Sequence, residues 1–244
     1  MPTAILIDGA YFVRRFRAIE PHNAHDASRA ADLACRWAML HLSDGPPPKE
    51  NGAPMHRRRR DLYRIFFYDC PPLDKKLHNP ISGAACDFKK PEEAIFRQAL
   101  HAALLTKRKV ALRLGHLASD TPWTIKPTKI DELLKKKIKF EDLTETDVIP
   151  QARQKGVDMR IGLDISSLSY KKQVDQIILF AGDADFVPAA KLARREGIDF
   201  VLDPMWRTIP PSLTEHIDGL RSTCPRPTKA KAVAGKGEKS ENVV

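Results

Sequence analysis

A run of five apolar residues, Ile177 to Ala181, constrains the fold of this chain more than any other feature. It carries no polar side chain, which is typical of a strand buried on both faces of a parallel sheet. The run ends in Gly-Asp-Ala-Asp-Phe, residues 182–186, so two carboxylates stand where the strand leaves the core. Open α/β sheets hold their functional sites at this carboxyl edge. The run therefore predicts both the kind of sheet and the place of a site.

The N-terminus repeats this arrangement on a smaller scale. Ala4 to Ile7 is a short apolar run, and Asp8 follows it at once. If both runs are strands of one parallel sheet, their carboxyl ends meet at one edge and bring Asp8 close to Asp183 and Asp185. Carboxylates that lie close together repel each other unless a cation lies between them. Because hard divalent cations prefer oxygen ligands, the arrangement predicts a site for Mg²⁺ or Mn²⁺.

Strand and helix patterns alternate along the whole chain. Short apolar or alternating runs predict strands at 3–7, 62–68, 110–117, 177–181 and 200–202. Helical spacing and helix-end residues predict helices from about 11, at 28–42, from Pro91 to Leu105, at 130–137, from Gly156 through Leu168 and at 187–196. This alternation predicts an α/β fold, with a doubly wound, mostly parallel sheet and helices on both faces.

Composition divides the chain into a body and a tail. We expect one domain over residues 1–221, with insertions near 43–60, where Pro, Gly and Arg accumulate, and at 118–150, where periodicity weakens and Lys accumulates. Residues 222–244 contain almost no bulky apolar side chain, so they cannot bury enough surface to offset chain entropy. We expect these residues to form a disordered basic tail.

The charge of the chain favours a polyanionic partner. The formal net charge is +10, and most of it belongs to the body, because residues 222–244 hold five Lys or Arg and two Glu. Basic residues cluster at 14–17, 57–60 and 135–139, among other places. Any one such cluster is ordinarily just a solvated face. Around an acidic pocket, however, basic patches suit a polyanionic substrate held near a metal.

Several other classes of protein are disfavoured. The four cysteines are widely spaced and include no Cys-x-x-Cys pair, so neither a disulfide framework nor a zinc site is indicated. No apolar run approaches the roughly 20 residues of a membrane span, and no signal-peptide pattern precedes the first strand, so we expect a cytoplasmic protein without a membrane partner. No Walker motif occurs, and a haloacid dehalogenase phosphatase would need a second Asp at position 10, where the chain has Ala10.

A further pair of acids lies on the predicted helix that follows Gly156. Asp158 stands at the start of this helix, the end nearest the carboxyl edge of the sheet. Asp164 comes six residues later, about 240° further round the helix, so the two carboxylates do not share a face. Only one of them can reach the acids that follow the strands. Asp158 is the better candidate by position.

Three segments of the chain together resemble a known family. Residues 4–12 (AILIDGAYF), 154–164 (QKGVDMRIGLD) and 179–188 (LFAGDADFVP) resemble the NYN domains of the LabA/DUF88 group, and the resemblance covers roughly residues 3–205. That group belongs to the PIN-like superfamily, whose members share a doubly wound parallel sheet and an acid cluster that binds Mg²⁺ or Mn²⁺ for RNA cleavage. Three ordered motifs are much more specific than a lone Gly-Asp-x-Asp.

The resemblance implies roles for individual residues. As catalytic and metal-binding residues it implies Asp8, Asp158, Asp183 and Asp185. As supporting residues we consider Asp69, Asp164 and Tyr11, and as residues that grip RNA phosphates Arg14, Arg15, Lys155 and Arg194. Asp69 is equally well interpreted as a polar strand-end residue before a turn. Many NYN domains place an Asn shortly after the first Asp, and residues 9–12 contain none, so a water, Tyr11 or another side chain would take its place.

Two hypotheses for function follow. The first is a metal-dependent endoribonuclease, in which metal-activated water attacks the phosphodiester and leaves 5′-phosphate and 3′-hydroxyl ends. The second is a catalytically weak domain that binds RNA or a protein as an adaptor, which the missing Asn motivates. The expected partner is RNA. DNA, a homo-oligomer and a protein partner stay open.

Overall fold

The computed structural model describes residues 2–43, 60–118, 120–152 and 154–227. The helices are α1 (Gly9–Ile19), α2 (Ala27–Leu40), α3 (Glu92–Leu105), α4 (Pro127–Leu134), α5 (Val157–Tyr170), α6 (Val187–Arg195) and α7 (Pro211–Thr214). The strands are β1 (Thr3–Asp8), β2 (Leu62–Asp69), β3 (Lys76–His78), β4 (Ala85–Asp87), β5 (Val110–Leu114), β6 (His116–Leu117), β7 (Trp123–Ile125), β8 (Val148–Pro150), β9 (Gln154–Lys155), β10 (Gln176–Phe180), β11 (Asp199–Asp203) and β12 (Gly219–Leu220). Within these residues no helix has both the length and the apolar character needed to cross a membrane.

Six strands form a central sheet in the order β12-β11-β10-β1-β2-β5, and all neighbouring pairs are parallel. From β1 the chain adds β2 and β5 on one side, and then crosses over to add β10, β11 and β12 on the other. The order therefore reverses between β1 and β10, which makes this the topological switch point of the sheet. The predicted doubly wound α/β fold is confirmed.

The central strands are buried on both faces, as their apolar sequences predict. Ile5, Leu6 and Ile7 in β1 are all 0% exposed. Because successive side chains of a strand point to opposite faces, Ile5 and Ile7 belong to one core and Leu6 belongs to the other. Helices α1, α2 and α3 cover the first core, and α5 and α6 cover the second.

The predicted strand at 110–117 is interrupted at Gly115. β5 ends at Leu114, and β6 then pairs antiparallel with β9 instead of continuing the sheet. A Cβ on Gly115 would lie 2.7 Å from the carbonyl oxygen of Lys155, so the two chain segments can approach this closely only because residue 115 is glycine. The alternating pattern of the sequence continues through this break and does not reveal it.

The predicted insertion at 118–150 has its own secondary structure in the described residues. Its helix is α4, which begins at Pro127 and ends at Leu134, three residues before the range predicted at each end. Proline is favoured at the first helical position because its missing N–H has no helical partner there. β7 and β8 pair antiparallel within the same segment. The other predicted insertion, near 43–60, lies almost wholly outside the described residues.

The predicted tail begins with residues that contact the body. The hydroxyl of Thr223 donates to the carbonyl oxygen of Trp37 at 2.9 Å, and Cys224 is 4% exposed. Residues 228–244 lie outside the described residues, so the disorder expected there stays a prediction, as does the single domain over 1–221.

Candidate acidic site at the switch point

Asp8 is the last residue of β1 and caps the first turn of α1. Its Oδ1 accepts a hydrogen bond from the backbone N–H of Tyr11 at 3.1 Å. The next residue, Gly9, is required by packing, because a Cβ there would lie 2.6 Å from the ring of Phe67 and 2.6 Å from the carbonyl oxygen of Tyr68. The Asp-Gly step thus turns the chain sharply out of the sheet and leaves the Asp8 carboxylate partly buried at its edge.

Asp183 and Asp185 follow β10, on the other side of the switch point. Asp183 caps a single 3₁₀ turn, Ala184–Phe186, and its Oδ1 accepts from the N–H of Asp185 at 3.2 Å. Both carboxylates are exposed, whereas Phe186 is buried and anchors the turn. A Cβ on the preceding Gly182 would lie 2.8 Å from the Tyr11 ring, so glycine is required here too.

Asp158 enters the same region from the start of α5. The helix begins after Gly156, whose φ of 79° is in the left-handed region that glycine adopts without strain. Asp158 is exposed in the first turn of the helix. Asp164, six residues further along α5, instead accepts a hydrogen bond from the Tyr68 hydroxyl.

The electrostatics link these four carboxylates. The pKa of Asp8 is raised to about 6, chiefly by burial and in smaller part by the charge of Asp158, against the opposing effects of the Tyr11 N–H and the charge of Arg14. Burial also raises the pKa of Asp158, to which the charges of Asp183 and Asp185 add. Asp158 therefore lies close enough to each of the other three carboxylates for their charges to repel. Raised carboxylate pKa values of this kind are characteristic of functional sites.

The donor chemistry of the four carboxylates fits a hard divalent cation in an open site. The described residues include no cage of three or more His, Cys, Asp or Glu side chains that could hold a metal ion. Mg²⁺ does not need such a cage, because it usually keeps several waters and takes only one or two carboxylates together with substrate phosphates. Negative oxygens that repel each other in the absence of a cation are suitable ligands for an ion of this type.

Asp69 does not join the four acids. Its carboxylate is fully buried at the end of β2 and accepts from Arg97 Nη1 at 2.5 Å, and its second oxygen lies 2.8 Å from His101 Nε2. Burial alone would raise the pKa of Asp69, but the contacts with His101 and Arg97 outweigh it, and the pKa is lowered. Because α3 carries both partners, Asp69 fastens α3 to the sheet.

Asp164 and Tyr11 are also engaged elsewhere. Asp164 Oδ2 accepts from the Tyr68 hydroxyl at 2.8 Å and lies 3.3 Å from Arg113 Nε. The Tyr11 hydroxyl donates to the carbonyl oxygen of Pro204 at 2.6 Å, and burial raises the pKa of Tyr11 to about 12. A hydroxyl held in this way does not take the place of an Asn beside Asp8.

The candidate phosphate-binding residues separate into different groups. Arg14 is exposed, and its charge acts on Asp8, while Lys155 is exposed two residues before α5. Arg15 instead donates from Nε and Nη2 to the carbonyl oxygen of Met205, at 3.0 and 2.6 Å. Arg194 lies in the last turn of α6, where the helix has returned to the amino edge of the sheet, and pairs with Asp218 at 2.8 Å. The structure therefore does not bring Arg194 to the acids.

Sequence reasoning missed the turn that follows β11. Arg207 is exposed, and its charge acts on the Tyr11 hydroxyl together with that of Arg14. Trp206 is 47% exposed in the same turn. The only signal in the sequence is the position of both residues just after the last predicted strand, which is a carboxyl end like those of β1 and β10.

Comparison with known proteins bears on this site. The model of the NYN domain family matches residues 94–218, just over half of the chain, and the match includes Asp158, Asp183 and Asp185. No curated protein and no solved structure matches the chain. NYN domains are nuclease-like domains of the PIN-like superfamily. The six-stranded parallel sheet, with acids from both sides of its switch point, agrees with such a domain, and the chain belongs to the NYN domain family.

Proposed function

We propose that this protein is a metal-dependent endoribonuclease. The observation that carries the proposal is the convergence of Asp8, Asp158, Asp183 and Asp185 at the switch point, with the pKa values of Asp8 and Asp158 raised partly by neighbouring carboxylates. Family membership supports a nuclease-like domain. We also propose that the chain belongs to the LabA/DUF88 group, because segments 4–12, 154–164 and 179–188 resemble that group in order.

One or two of the carboxylates of Asp8, Asp158, Asp183 and Asp185, together with water and phosphate oxygens of the RNA, would hold Mg²⁺ or Mn²⁺. A bound ion of this kind lowers the pKa of a coordinated water and neutralises charge on the phosphate oxygens. Asp158, Asp183 and Asp185 are exposed, so a phosphodiester can approach them from solvent. The carboxylate of Asp8 is partly buried and is held in place by the hydrogen bond from the Tyr11 N–H. The site is therefore open to solvent at Asp158 and at the 183–185 turn, and the fold fixes the position of Asp8.

The basic residues near the acids would position RNA. Arg14 and Lys155 are exposed near Asp8 and Asp158 respectively, and Arg207 is exposed beside Tyr11. Contacts of Lys and Arg with phosphates supply affinity without reading the sequence of the nucleic acid. We therefore expect cleavage with little sequence preference and products that end in 5′-phosphate and 3′-hydroxyl.

An RNA-binding adaptor is the second candidate function. One observation favours it, namely that residues 9–12 hold no Asn and that the nearby Tyr11 hydroxyl is taken by Pro204. An adaptor would keep the basic surface and bind RNA, but its acids would not be needed for any reaction.

Cleavage assays of Asp183→Asn distinguish the two functions. The purified protein is incubated with single-stranded and structured RNA in Mn²⁺, in Mg²⁺ or in EDTA. We expect the wild type to cut only with metal, and Asp183→Asn to bind RNA but to lose cleavage by at least about 100-fold, as expected when a residue that orients the reacting groups is lost.

Asp32→Asn is the matched control for that experiment. Asp32 is an exposed Asp on α2, and it pairs with Lys107, which precedes β5 and so lies toward the amino edge of the sheet. It should cleave RNA like the wild type. Cleavage by Asp183→Asn at the wild-type rate would contradict the metal role, and tight RNA binding without any cleavage or Mn²⁺ binding by the wild type would favour the adaptor.

A further inference from the structure

Trp206 lies at the carboxyl edge of the sheet, and its backbone has a conformation that residues other than glycine rarely adopt. The φ angles of Met205 and Trp206 are 46° and 65°, both in the left-handed region. Non-glycine residues in this region cost of order 1 kcal/mol or more and persist only where the surroundings fix them. Two such residues in succession indicate that the turn after β11 is held in place by contacts.

Those contacts come from three parts of the chain. From α1, the Tyr11 hydroxyl donates to the carbonyl oxygen of Pro204 and Arg15 donates to that of Met205. The N–H of Met205 donates to Asp203 Oδ1 at 2.7 Å. From the C-terminal segment, Ser222 Oγ accepts from the N–H of Trp206 at 2.9 Å. The turn is therefore a rigid support.

The Trp206 ring is held by one edge, and the residue as a whole remains about half exposed. Its Nε1 donates to the carbonyl oxygen of Cys224 at 2.7 Å, which fixes the orientation of the ring. The guanidinium of Arg226 lies over the ring, 5.4 Å from its centroid. Even so, the residue is 47% exposed, whereas its neighbour Met205 is fully buried.

The charges around the ring suit the backbone of a nucleic acid. Arg14, Arg207 and Arg226 are all exposed, and the charges of Arg14 and Arg207 both act on the Tyr11 hydroxyl. The same Tyr11 links the turn to the acids, since its N–H donates to Asp8 and its hydroxyl donates to Pro204. An oriented aromatic ring beside several arginines is the combination that single-stranded nucleic acids bind by stacking and phosphate contacts.

We propose that Trp206 is a stacking platform for an unpaired base of single-stranded RNA, whose phosphates are held by Arg14, Arg207 and Arg226. This rests on the proposed function as a protein that acts on RNA, and it adds a base contact to a site otherwise made of acids and phosphate ligands. Because every base has a flat face, the platform favours unpaired over paired RNA without selecting one sequence.

The test measures RNA binding in EDTA, where no cleavage can occur. A labelled single-stranded oligonucleotide is titrated with the wild type, Trp206→Ala, Trp206→Phe and Tyr170→Ala. We expect Trp206→Ala to bind about ten-fold more weakly or worse, and Trp206→Phe, which keeps a flat ring but loses the bond to Cys224, to stay within about three-fold of the wild type. Tyr170→Ala is the control, because Tyr170 is 62% exposed at the far end of α5.

Tryptophan fluorescence supplies a second measurement that does not depend on the stability of Trp206→Ala. The chain has three tryptophans, and Trp37 is buried. Saturating RNA should quench the emission of the wild type, and the quenching should disappear in Trp206→Phe. Equal binding by the wild type and Trp206→Ala, unchanged wild-type emission, or absence of RNA binding by the wild type would each overturn the platform.

The two proposals fail separately. RNA that binds through Trp206 but is not cut in Mn²⁺ would contradict the nuclease and leave the platform standing. Cleavage by Trp206→Ala with the wild-type KM would contradict the platform and leave the nuclease standing.

Discussion

Tyr11 and Gly182 lie against each other across the switch point, and the contact leaves no room for a side chain at position 182. A Cβ there would lie 2.8 Å from the Tyr11 ring and 3.0 Å from its hydroxyl oxygen. The ring cannot easily move aside, because it is 4% exposed and its hydroxyl is held by Pro204. Gly182 therefore sets the spacing between the segments that carry Asp8 and Asp183.

We predict that Gly182→Ala destabilises the protein by about 1–3 kcal/mol, the usual effect of overpacking a filled site. It should also lower RNA cleavage, because the methyl group pushes apart the two segments that carry the acids. Urea denaturation and cleavage rates measure both effects. Gly162→Ala is the control: outside the backbone of α5 itself, no atom of the described residues lies within 4 Å of a Cβ there, and alanine is favoured in the interior of α5, so it should stabilise the protein. If Gly182→Ala had the stability and the cleavage rate of the wild type, the Tyr11 ring would be free to move aside.

The stability of the protein should fall as pH rises through the titration of Asp8. The folded-state pKa of Asp8, about 6, lies above the ordinary value of 3.8, so the folded chain binds more protons than the unfolded chain between these pH values. Asp8→Asn removes that penalty and keeps the helix cap, because Asn also caps helices well. In EDTA we expect the variant to match the wild type near pH 4 and to exceed it above pH 6 by at most about 3 kcal/mol.

Denaturation curves at several pH values between 4 and 7.5 test this prediction. The same variant should lose RNA cleavage and the stabilisation that Mn²⁺ gives to the wild type. If the stability difference between the two proteins were the same at every pH, folding would not raise the pKa of Asp8.

Asp69 has the opposite pH dependence. The folded-state pKa of Asp69 lies below the ordinary value of 3.8. Its contribution to stability is therefore complete at pH values above the ordinary pKa, and it is lost as pH falls through the folded-state pKa. At pH 7 we expect Asp69→Asn to destabilise the protein by about 3 kcal/mol, because Arg97 and His101 would lose their buried anion and Arg97 would keep only its pair with the half-exposed Glu93.

Asp164→Asn is the comparison for Asp69. Asp164 is partly exposed and pairs with a half-exposed Arg113, so its replacement should lower the free energy of unfolding by about 1 kcal/mol or less. Thermal unfolding at pH 7 measures both variants. If Asp69→Asn were as stable as Asp164→Asn, the buried contacts to α3 would not be important for holding α3 on the sheet.

Arg14 and Arg194 should differ in their effects on RNA, although both belong to basic clusters. Arg14→Gln should raise the KM for RNA and reduce the salt dependence of binding by about one ion, since a contact with one phosphate is lost. Arg194→Gln should leave both unchanged, because Arg194 pairs with Asp218 at the other edge of the sheet. Binding measured from 50 to 300 mM salt tests this difference. Equal losses in both variants would place RNA along α6 as well.

Much of the fold could be predicted because its strands are continuous apolar runs. β1 and β10 are recognisable from Ala4–Ile7 and Ile177–Ala181 alone, since a strand buried on both faces has no polar positions. The acids that follow these strands could be predicted for the same reason. The angular spacing of a helix showed that only one of Asp158 and Asp164 can reach these acids, and the position of Asp158 at the start of the helix favoured it. Asp164 bonds instead with Tyr68 and Arg113.

Other features depend on contacts between distant segments and have no local signal. The turn at 204–206 is held by Tyr11 and Arg15, almost 200 residues earlier in the chain, so its left-handed residues could not be expected from the nearby sequence. The break after β5 depends on the approach of Lys155 to Gly115. Arg194 is different, because a helix that starts at the carboxyl edge must end at the other edge, and that could have been inferred from sequence.

The pairing of β1 with β10 also has a consequence for synthesis. Ile7 pairs with Phe180 in the sheet. Asp8, the next residue, therefore lacks its neighbouring strand β10 until the ribosome has added more than 160 further residues. A nascent or truncated chain that stops before β10 holds Asp8 but none of Asp183, Asp185 or the neighbouring β11 turn. The proposed nuclease would therefore be inert toward its own messenger until β10 and the turns that follow it have been made.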